Sequence, residues 1–317
     1  MTGTGPSRFA GPVRRLGVAY REHTTEVLAI LDRLRTWADR NGVGVEIEAN
    51  AGRGPEPSLD LHARPVDLVV ALGGDGTFLR ASRLAVGTDI PVLGVNLGRL
   101  GFLTAIPDAE LEAGLDTVMR GEAMLERRFR LRARIEGIDG GGAGTSGAEP
   151  GSAGSLLDRD FYALNDIVVH TTGAARVTPL TLSIGNGSDL EEVGSFAADG
   201  VIVSTPTGST AYSMSAGGPI IVPEVEAVVV TPICPHSLAV RPLVVPSHRT
   251  VCVSSLDPDS DHHVTVDGQV VHQMASGDRV VVERDANLLS LVRMPGQTFF
   301  RTMQRKLNWA VRPPERA

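Results

Sequence analysis

The sequence predicts two domains of different class: an α/β amino-terminal domain with a parallel sheet, and a β-rich, sandwich-like carboxy-terminal domain. Three observations carry this. In the first third of the chain, short apolar runs alternate with segments whose apolar residues recur at helical spacing, the pattern of parallel strands joined by covering helices. Beyond about residue 121 the pattern changes to β-branched stretches separated by Gly, Pro, Asn and Asp. The 317 residues are enough for two separate cores.

In chain order, Arg15 to Tyr20 reads as the first strand. Glu26 to Arg40, with Val27, Leu28, Leu31, Leu34 and Trp37 in helical register, reads as an amphipathic helix. Strand Val43 to Glu48, a Gly/Pro-rich loop and strand Val66 to Leu72 follow. After these come the turn Gly73-Gly74-Asp75-Gly76, a helix from Thr77 to Ala85 and strand Val92 to Asn96. Arg127 to Arg134 alternates arginine with apolar or small residues at period two, which predicts a strand with one wet face. Further strands are expected at 164–169, 180–184, 201–204, 227–230, 243–245, 251–254, 264–266 and 279–283. The low-complexity stretch 137–154 has too little apolar surface to fold and is expected to be a mobile loop. The tail returns to helical texture at Phe299 to Trp309. The domains are therefore expected at 1–120 together with the tail 296–317, and at 121–295.

Composition narrows the class. With 42% hydrophobic and 21% charged residues, the chain has the make-up of an ordinary globular protein. No apolar run has the length of a bilayer span, and the first residues lack the apolar core of a signal peptide, so a cytoplasmic location is expected. The net charge of −7 argues against a general nucleic-acid surface. Cys234 and Cys252 lack CxxC spacing, which points to reduced structural thiols instead of a disulfide framework or zinc site. His262-His263 reads as an exposed loop pair, and no third ligand is spaced with it or with His236 for a metal.

Two segments carry chemistry. The Gly73-Gly74-Asp75-Gly76 turn joins a strand to a helix. Its glycines permit close approach of a ligand to the backbone, and a helix start offers N–H groups and a positive dipole end to an anion. It is neither a P-loop nor a dinucleotide fingerprint. Beside a phosphate the Asp75 carboxylate would repel, so it is expected to face an acceptor hydroxyl or a metal, which makes a phosphotransferase the first hypothesis. The second segment, Asp199 to Pro219, is rich in small hydroxylated residues around one ring, Tyr212. A flat heterocycle stacked on that ring would find hydroxyls and amides for its polar edge.

Gly-Gly-Asp-Gly-Thr at 73–77, Asn165-Asp166 after an apolar strand, Thr-Pro-Thr-Gly-Ser-Thr-Ala-Tyr at 205–212 and Pro-His-Ser-Leu-Ala-Val-Arg-Pro-Leu at 235–243 occur in this order. Together they resemble the NAD kinase family, from about Leu16 to Trp309. The resemblance implies a Rossmann-like first domain, a β-rich NAD-binding second domain, and transfer of the terminal phosphate of ATP or polyphosphate to the 2′-hydroxyl of the adenosine ribose of NAD. It also implies a homodimer or homotetramer and a divalent metal, usually magnesium, carried with the donor.

Carried onto this chain, the resemblance makes Asp75 the base. Gly73, Gly74, Gly76 and Arg80 take the donor phosphates. Asn165 and Asp166 hydrogen-bond the adenosine, Asp199 holds the nicotinamide end, and Arg176 and Gln269 are weaker contacts. Thr207, Thr210, Ala211, Tyr212, Ser213, Met214 and Ser215, together with Asp75 and Gly76, line the NAD pocket. No resident metal ligand is assigned. Ala197 stands where many members carry a basic residue, which removes one contact to the pyrophosphate. A non-catalytic NAD/NADP sensor of the same fold, and a lipid or sugar kinase sharing the glycine turn, are the alternatives.

Overall fold

The computed structural model describes residues 7–20, 25–48, 59–98, 101–137, 160–171, 178–255, 262–274 and 277–309. Arg176 and all of the 137–154 stretch except Gly137 lie outside them. The chain divides into two units, Met1–Arg128 with Asn287–Ala317, and Phe129–Ala286.

The first unit is an α/β layer structure. Strands β2 (Arg15–Tyr20), β3 (Gly44–Ile47), β4 (Leu68–Leu72) and β5 (Val92–Asn96) form a parallel sheet in the order β5-β4-β2-β3. The short strand β6 (Ile106–Pro107) pairs with β5, and β1 (Ser7–Arg8) pairs antiparallel with Met124 and Leu125. Both β4 and β5 are buried along their whole length, as expected of parallel strands covered on both faces. Helix α1 (Thr25–Asn41) buries Val27, Ile30, Leu31, Leu34, Trp37 and Ala38, one stripe at helical period. That stripe and Leu111, Leu115 and Val118 of α3 (Leu111–Met119) join Leu16, Val18, Leu68, Val70, Leu93 and Val95 in one core. The opposite face belongs to α2 (Asp75–Leu84), whose Phe78 ring lies over Gly94 of β5. A side chain at Gly94 would meet that ring, so the glycine seats the helix.

The second unit contains antiparallel strands in two sheets. One has the order β14-β13-β12-β9-β16-β17. Its strands are β9 (Asp166–Thr171), β12 (Gly200–Ser204), β13 (Ala227–Ile233), β14 (Leu243–Pro246), β16 (His262–Val266) and β17 (Val270–Gln273). The other includes β10 (Thr178–Asn186), β11 (Asp189–Ala198) and β15 (Thr250–Ser255), with β8 (Phe161–Ala163) paired to β7 (Met124–Glu136). Strands β7 and β18 (Arg279–Arg293) each run from one unit into the other. Helix α5 (Phe299–Leu307) belongs to the first unit and is capped by Thr298, whose hydroxyl accepts from Arg301 N.

Three expectations change. His262 is buried in β16 and His263 is a strand residue, because this short stretch pairs with β9 on one side and β17 on the other. The predicted wet face of 127–134 is dry at Arg128 and Arg130, which are 4% and 1% exposed. Burial is tolerated there because Glu126 and Asp285 supply opposite charge, at 2.7 Å and 3.3 Å. The single strand expected at 164–169 breaks at Leu164 and Asn165, whose amides turn to a side chain described below.

Candidate active site

In the first unit the carboxyl ends of β4 and β5 deliver two loops side by side. Leu72 pairs with Val95, so the Gly73-Gly74 turn and the loop following Asn96 leave the same edge, where open parallel sheets bind ligands. The turn is only two residues long. Gly74 caps α2, Asp75 is its first residue, and Gly76 already lies inside its first turn. Gly74 and Gly76 are exposed and Asp75 is half-buried. Instead of capping its own helix, the Asp75 carboxylate accepts Phe102 N–H at 2.9 Å and Leu103 N–H at 3.1 Å. It occupies the space that a Cβ at Gly101 would need, 1.8 Å from Asp75 Oδ1.

Arg80 lies one turn further along α2, and its guanidinium is engaged by Glu48. Nη2–H and Nε–H donate to Oε1 at 2.7 and 2.9 Å, and Nε–H to Oε2 at 3.1 Å. Glu48 is fully buried, so the pair compensates a carboxylate that would otherwise be costly. The Arg80 guanidinium, expected at a donor phosphate, thus has its Nε and Nη2 on Glu48 in this structure.

The second unit contains a cavity of about 510 Å³. Asn165, Asp166, Asp199, Ala211 and Tyr212 line it, all expected from the sequence. Asp267, His170 and Thr265 line it as well and were not expected. Asp267 organises its floor. At the tip of the β16–β17 hairpin with φ 49°, it accepts Leu164 N–H at 3.0 Å, Asn165 N–H at 2.7 Å and Asp166 N–H at 3.2 Å. Three amides that a continuous strand would have paired are thus satisfied by one carboxylate. The Asp267-Gly268 pair between two β-branched runs was the available signal, because Asp-Gly favours a hairpin tip.

Asp166 is 5% exposed. Burial, and then the neighbouring negative charge of Asp267, push its carboxyl up to about 7. Near neutral pH it is divided between a form that donates a proton in a hydrogen bond and one that only accepts. His170 Nε2 and Thr265 Oγ1 are 2.9 Å apart beside it on β9 and β16. Tyr212 is 47% exposed, its ring available for stacking.

The hydroxyl-rich loop is partly self-directed. Thr205 Oγ1–H donates to Leu164 O at 2.6 Å and accepts Gly208 N–H at 3.0 Å. Ser209 Oγ–H donates to Pro206 O at 2.6 Å and accepts Ile221 N–H at 2.9 Å. Gly208 packs directly on Asn165, where an added Cβ would lie 2.1 Å from the Asn165 carbonyl oxygen. Ser213, expected in the pocket, is fully buried with its hydroxyl 2.8 Å from Thr231 Oγ1; it supports the short helix α4 (Tyr212–Ser215) from below. Thr207 is buried and its carbonyl accepts from the half-buried Thr210 hydroxyl at 3.2 Å. Met214 is half-buried, and Ser215 and Gln269 are exposed.

Residues 55–123 match the model of the ATP-NAD kinase N-terminal domain and residues 164–294 that of the C-terminal domain. An NAD kinase of Heliobacterium modesticaldum is 38% identical over 92% of this chain and 98% of its own length. The chain belongs to the NAD kinase family. An NAD kinase of Gemmatimonas aurantiaca is 43% identical over 77% of this chain and 78% of that protein. Among solved structures, yeast NADH kinase complexed with NADH is similar at a TM-score of 0.80 and 26% identity, covering 97% of this chain and 91% of that one. An NAD kinase from Archaeoglobus fulgidus in complex with ATP is similar at a TM-score of 0.69 and 26% identity, covering 93% and 98%. Kinship with other NAD kinases thus extends over both units, each of which holds one of the two constellations.

Proposed function

We propose that this chain is an NAD kinase that transfers the terminal phosphate of ATP to the 2′-hydroxyl of the adenosine ribose of NAD, giving NADP and ADP. The observation that carries this reading is the cavity of the second unit, in a chain that matches an NAD kinase over 98% of that relative's length. An amide (Asn165), a carboxyl poised near neutrality (Asp166) and a stacking ring (Tyr212) meet there, which suits an adenine ring and its ribose. Asp199, Ala211, Thr210, Met214 and Ser215 complete the dinucleotide contacts in this reading, with Thr207 and Ser213 as support beneath them and Gln269 and Arg176 as outer contacts.

Asp75 is the base. It orients the hydroxyl and accepts its proton while the hydroxyl oxygen bonds to the γ-phosphorus and the bond to the β,γ-bridging oxygen breaks. A carboxylate suffices because phosphoryl transfer passes through a loose transition state in which proton loss need not run ahead of bond cleavage. The Gly73, Gly74 and Gly76 turn admits the donor phosphates; Gly73 N–H is itself committed to Val95 O at 2.9 Å, which leaves the exposed Gly74 at the helix start to meet them. Arg80 takes part only if a phosphate draws it from Glu48.

The described residues contain no group of three carboxylate, imidazole or thiolate side chains around one point. In this reading a magnesium ion arrives on the donor phosphates, where it would neutralise developing charge, and Asp75 is the carboxylate that this chain offers at the glycine turn. No described helix is long and apolar enough to cross a membrane; we place the reaction in the cytoplasm, where ATP and NAD are abundant, and assign the enzyme a homodimeric or homotetrameric state. The test is incubation of purified protein with NAD and magnesium, with ATP in one arm and polyphosphate in the other, followed by mass analysis. A gain of one phosphate on NAD in the ATP arm supports the proposal; bound but unmodified NAD in both arms would replace it with the sensor reading.

A further inference from the structure

The Asp75 carboxylate is held by a bracket of two amides, and one of them belongs to a peptide gripped from its other side. Leu103 N–H, which donates to Asp75 Oδ1 at 3.1 Å, shares a peptide plane with the Phe102 carbonyl. That carbonyl accepts Arg293 Nη2–H at 3.0 Å. Arg293 in turn donates Nε–H to Glu126 Oε2 at 3.0 Å and is 9% exposed, while Glu126 Oε1 accepts from Arg128 at 2.7 Å. The amide just before the bracket is fixed separately, Gly101 N–H donating to Thr104 Oγ1 at 3.0 Å.

A peptide group is planar, so fixing the direction of its C=O fixes that of its N–H. A cation on the carbonyl also polarises the group and strengthens the bond its N–H makes. Without Arg293 the 102–103 peptide keeps only its bond to Asp75, and both the second constraint on its direction and the polarisation of its N–H are lost.

We propose that Arg293, oriented by Glu126, is a positioning residue for phosphoryl transfer: it aligns the Phe102–Leu103 peptide, and through it aims the Asp75 carboxylate at the acceptor hydroxyl. The proposal rests on the reading of Asp75 as base. It assigns a role in turnover to a residue 218 positions from Asp75 in sequence (293 − 75), with no contact to substrate required.

The test compares Arg293→Met, Arg293→Lys, Asp75→Asn and the Arg293→Met/Asp75→Asn double variant in the full chain, measuring kcat, KM for NAD, NAD binding by calorimetry and thermal unfolding. Arg293→Met is expected to lower kcat about 10- to 100-fold, the scale of effect when a catalytic group shifts by a fraction of an ångström to one ångström. NAD affinity and KM should stay within about twofold, because the β9 cavity is untouched. Arg293→Lys, which keeps the charge beside Glu126 but not the two-pronged grip, should fall between wild type and Met. In the Asp75→Asn background the Met substitution should cost less than about twofold more, since the group being aimed is already gone. Wild-type kcat in Arg293→Met, or the same loss with and without Asp75, would overturn the proposal. Near-native turnover in Asp75→Asn would instead overturn the reading of Asp75 itself. If Arg293→Met does not fold, the Lys variant alone and in the Asp75→Asn background decides on the same criteria.

Discussion

At the scale of the residue, the two carboxyl groups central to the proposal are treated differently by their surroundings. Asp75 is half-buried and its carboxylate oxygens each accept one backbone N–H, from Phe102 and Leu103. Asparagine there keeps the shape but lacks both charge and proton affinity. We expect Asp75→Asn to lower kcat by about two to four orders of magnitude, with calorimetric NAD affinity retained. Gly101→Ala tests the same carboxylate from outside. A methyl group placed 1.8 Å from Asp75 Oδ1 must displace it, so turnover should fall at least about tenfold while far-UV circular dichroism is unchanged.

Asp166 is a different case. Its carboxyl is raised to about 7 by burial and by Asp267, so the folded state holds a proton that the unfolded chain releases near pH 4. The stability this group contributes is complete below about pH 4 and declines as pH rises to about 7, beyond which the cost is constant. Asp166→Asn removes that dependence. Relative to wild type, the variant should gain stability between pH 4 and 7, by an amount on the order of a few kcal/mol, read from urea midpoints across pH. An unchanged difference over that range would contradict the assignment.

At the scale of the element, α2 carries Asp75 and is seated by one ring. Phe78 is fully buried over Gly94, and Phe78→Ala should destabilise the first unit by about 3–5 kcal/mol, measured by urea unfolding. In the second unit, the turn after β12 is pressed onto the start of β9. Gly208→Ala would drive a methyl group into the Asn165 carbonyl, and we expect KM for NAD to rise at least about fivefold, with a smaller change in kcat.

These elements differ in how far the sequence reveals them. β2 and β5 have the bounds that their apolar runs predict, and α1 extends one residue past the prediction at each end. Such buried elements are written in local periodicity. β11 was missed because it ends the β11-β10-β15 path of its sheet and, Val193 apart, its exposed positions are polar or acidic; pairing with β10 holds it, not an apolar face. The glycine turn and the 205–212 block were legible as motifs. The roles of Asp267, Glu48 and the Phe102–Leu103 peptide were not, because each depends on a backbone direction or on a partner distant in sequence. His262 was misread for a related reason: β16 is flanked by its hairpin partner β17 and by β9, and β9 lies nearly a hundred residues earlier in the chain.

At the scale of the whole molecule, the proposed reading divides the work of a kinase between two units of different architecture. The parallel sheet of the first gathers glycine amides and a held carboxylate at one edge, and the antiparallel sheet of the second opens a cavity beside β9 and β16. Kinship with NAD kinases runs through both units, which favours an active kinase over a sensor retaining only the dinucleotide cavity.

The most direct measurement is formation of the 2′-phosphate itself. Wild-type protein and Asp75→Asn would be incubated with NAD, ATP and magnesium, and the product supplied to a dehydrogenase that accepts NADP but not NAD. Reduction signal from the wild type that is nearly abolished in the variant is the result expected. No signal from wild-type protein that nonetheless binds NAD, or equal signal from both proteins, would contradict the account.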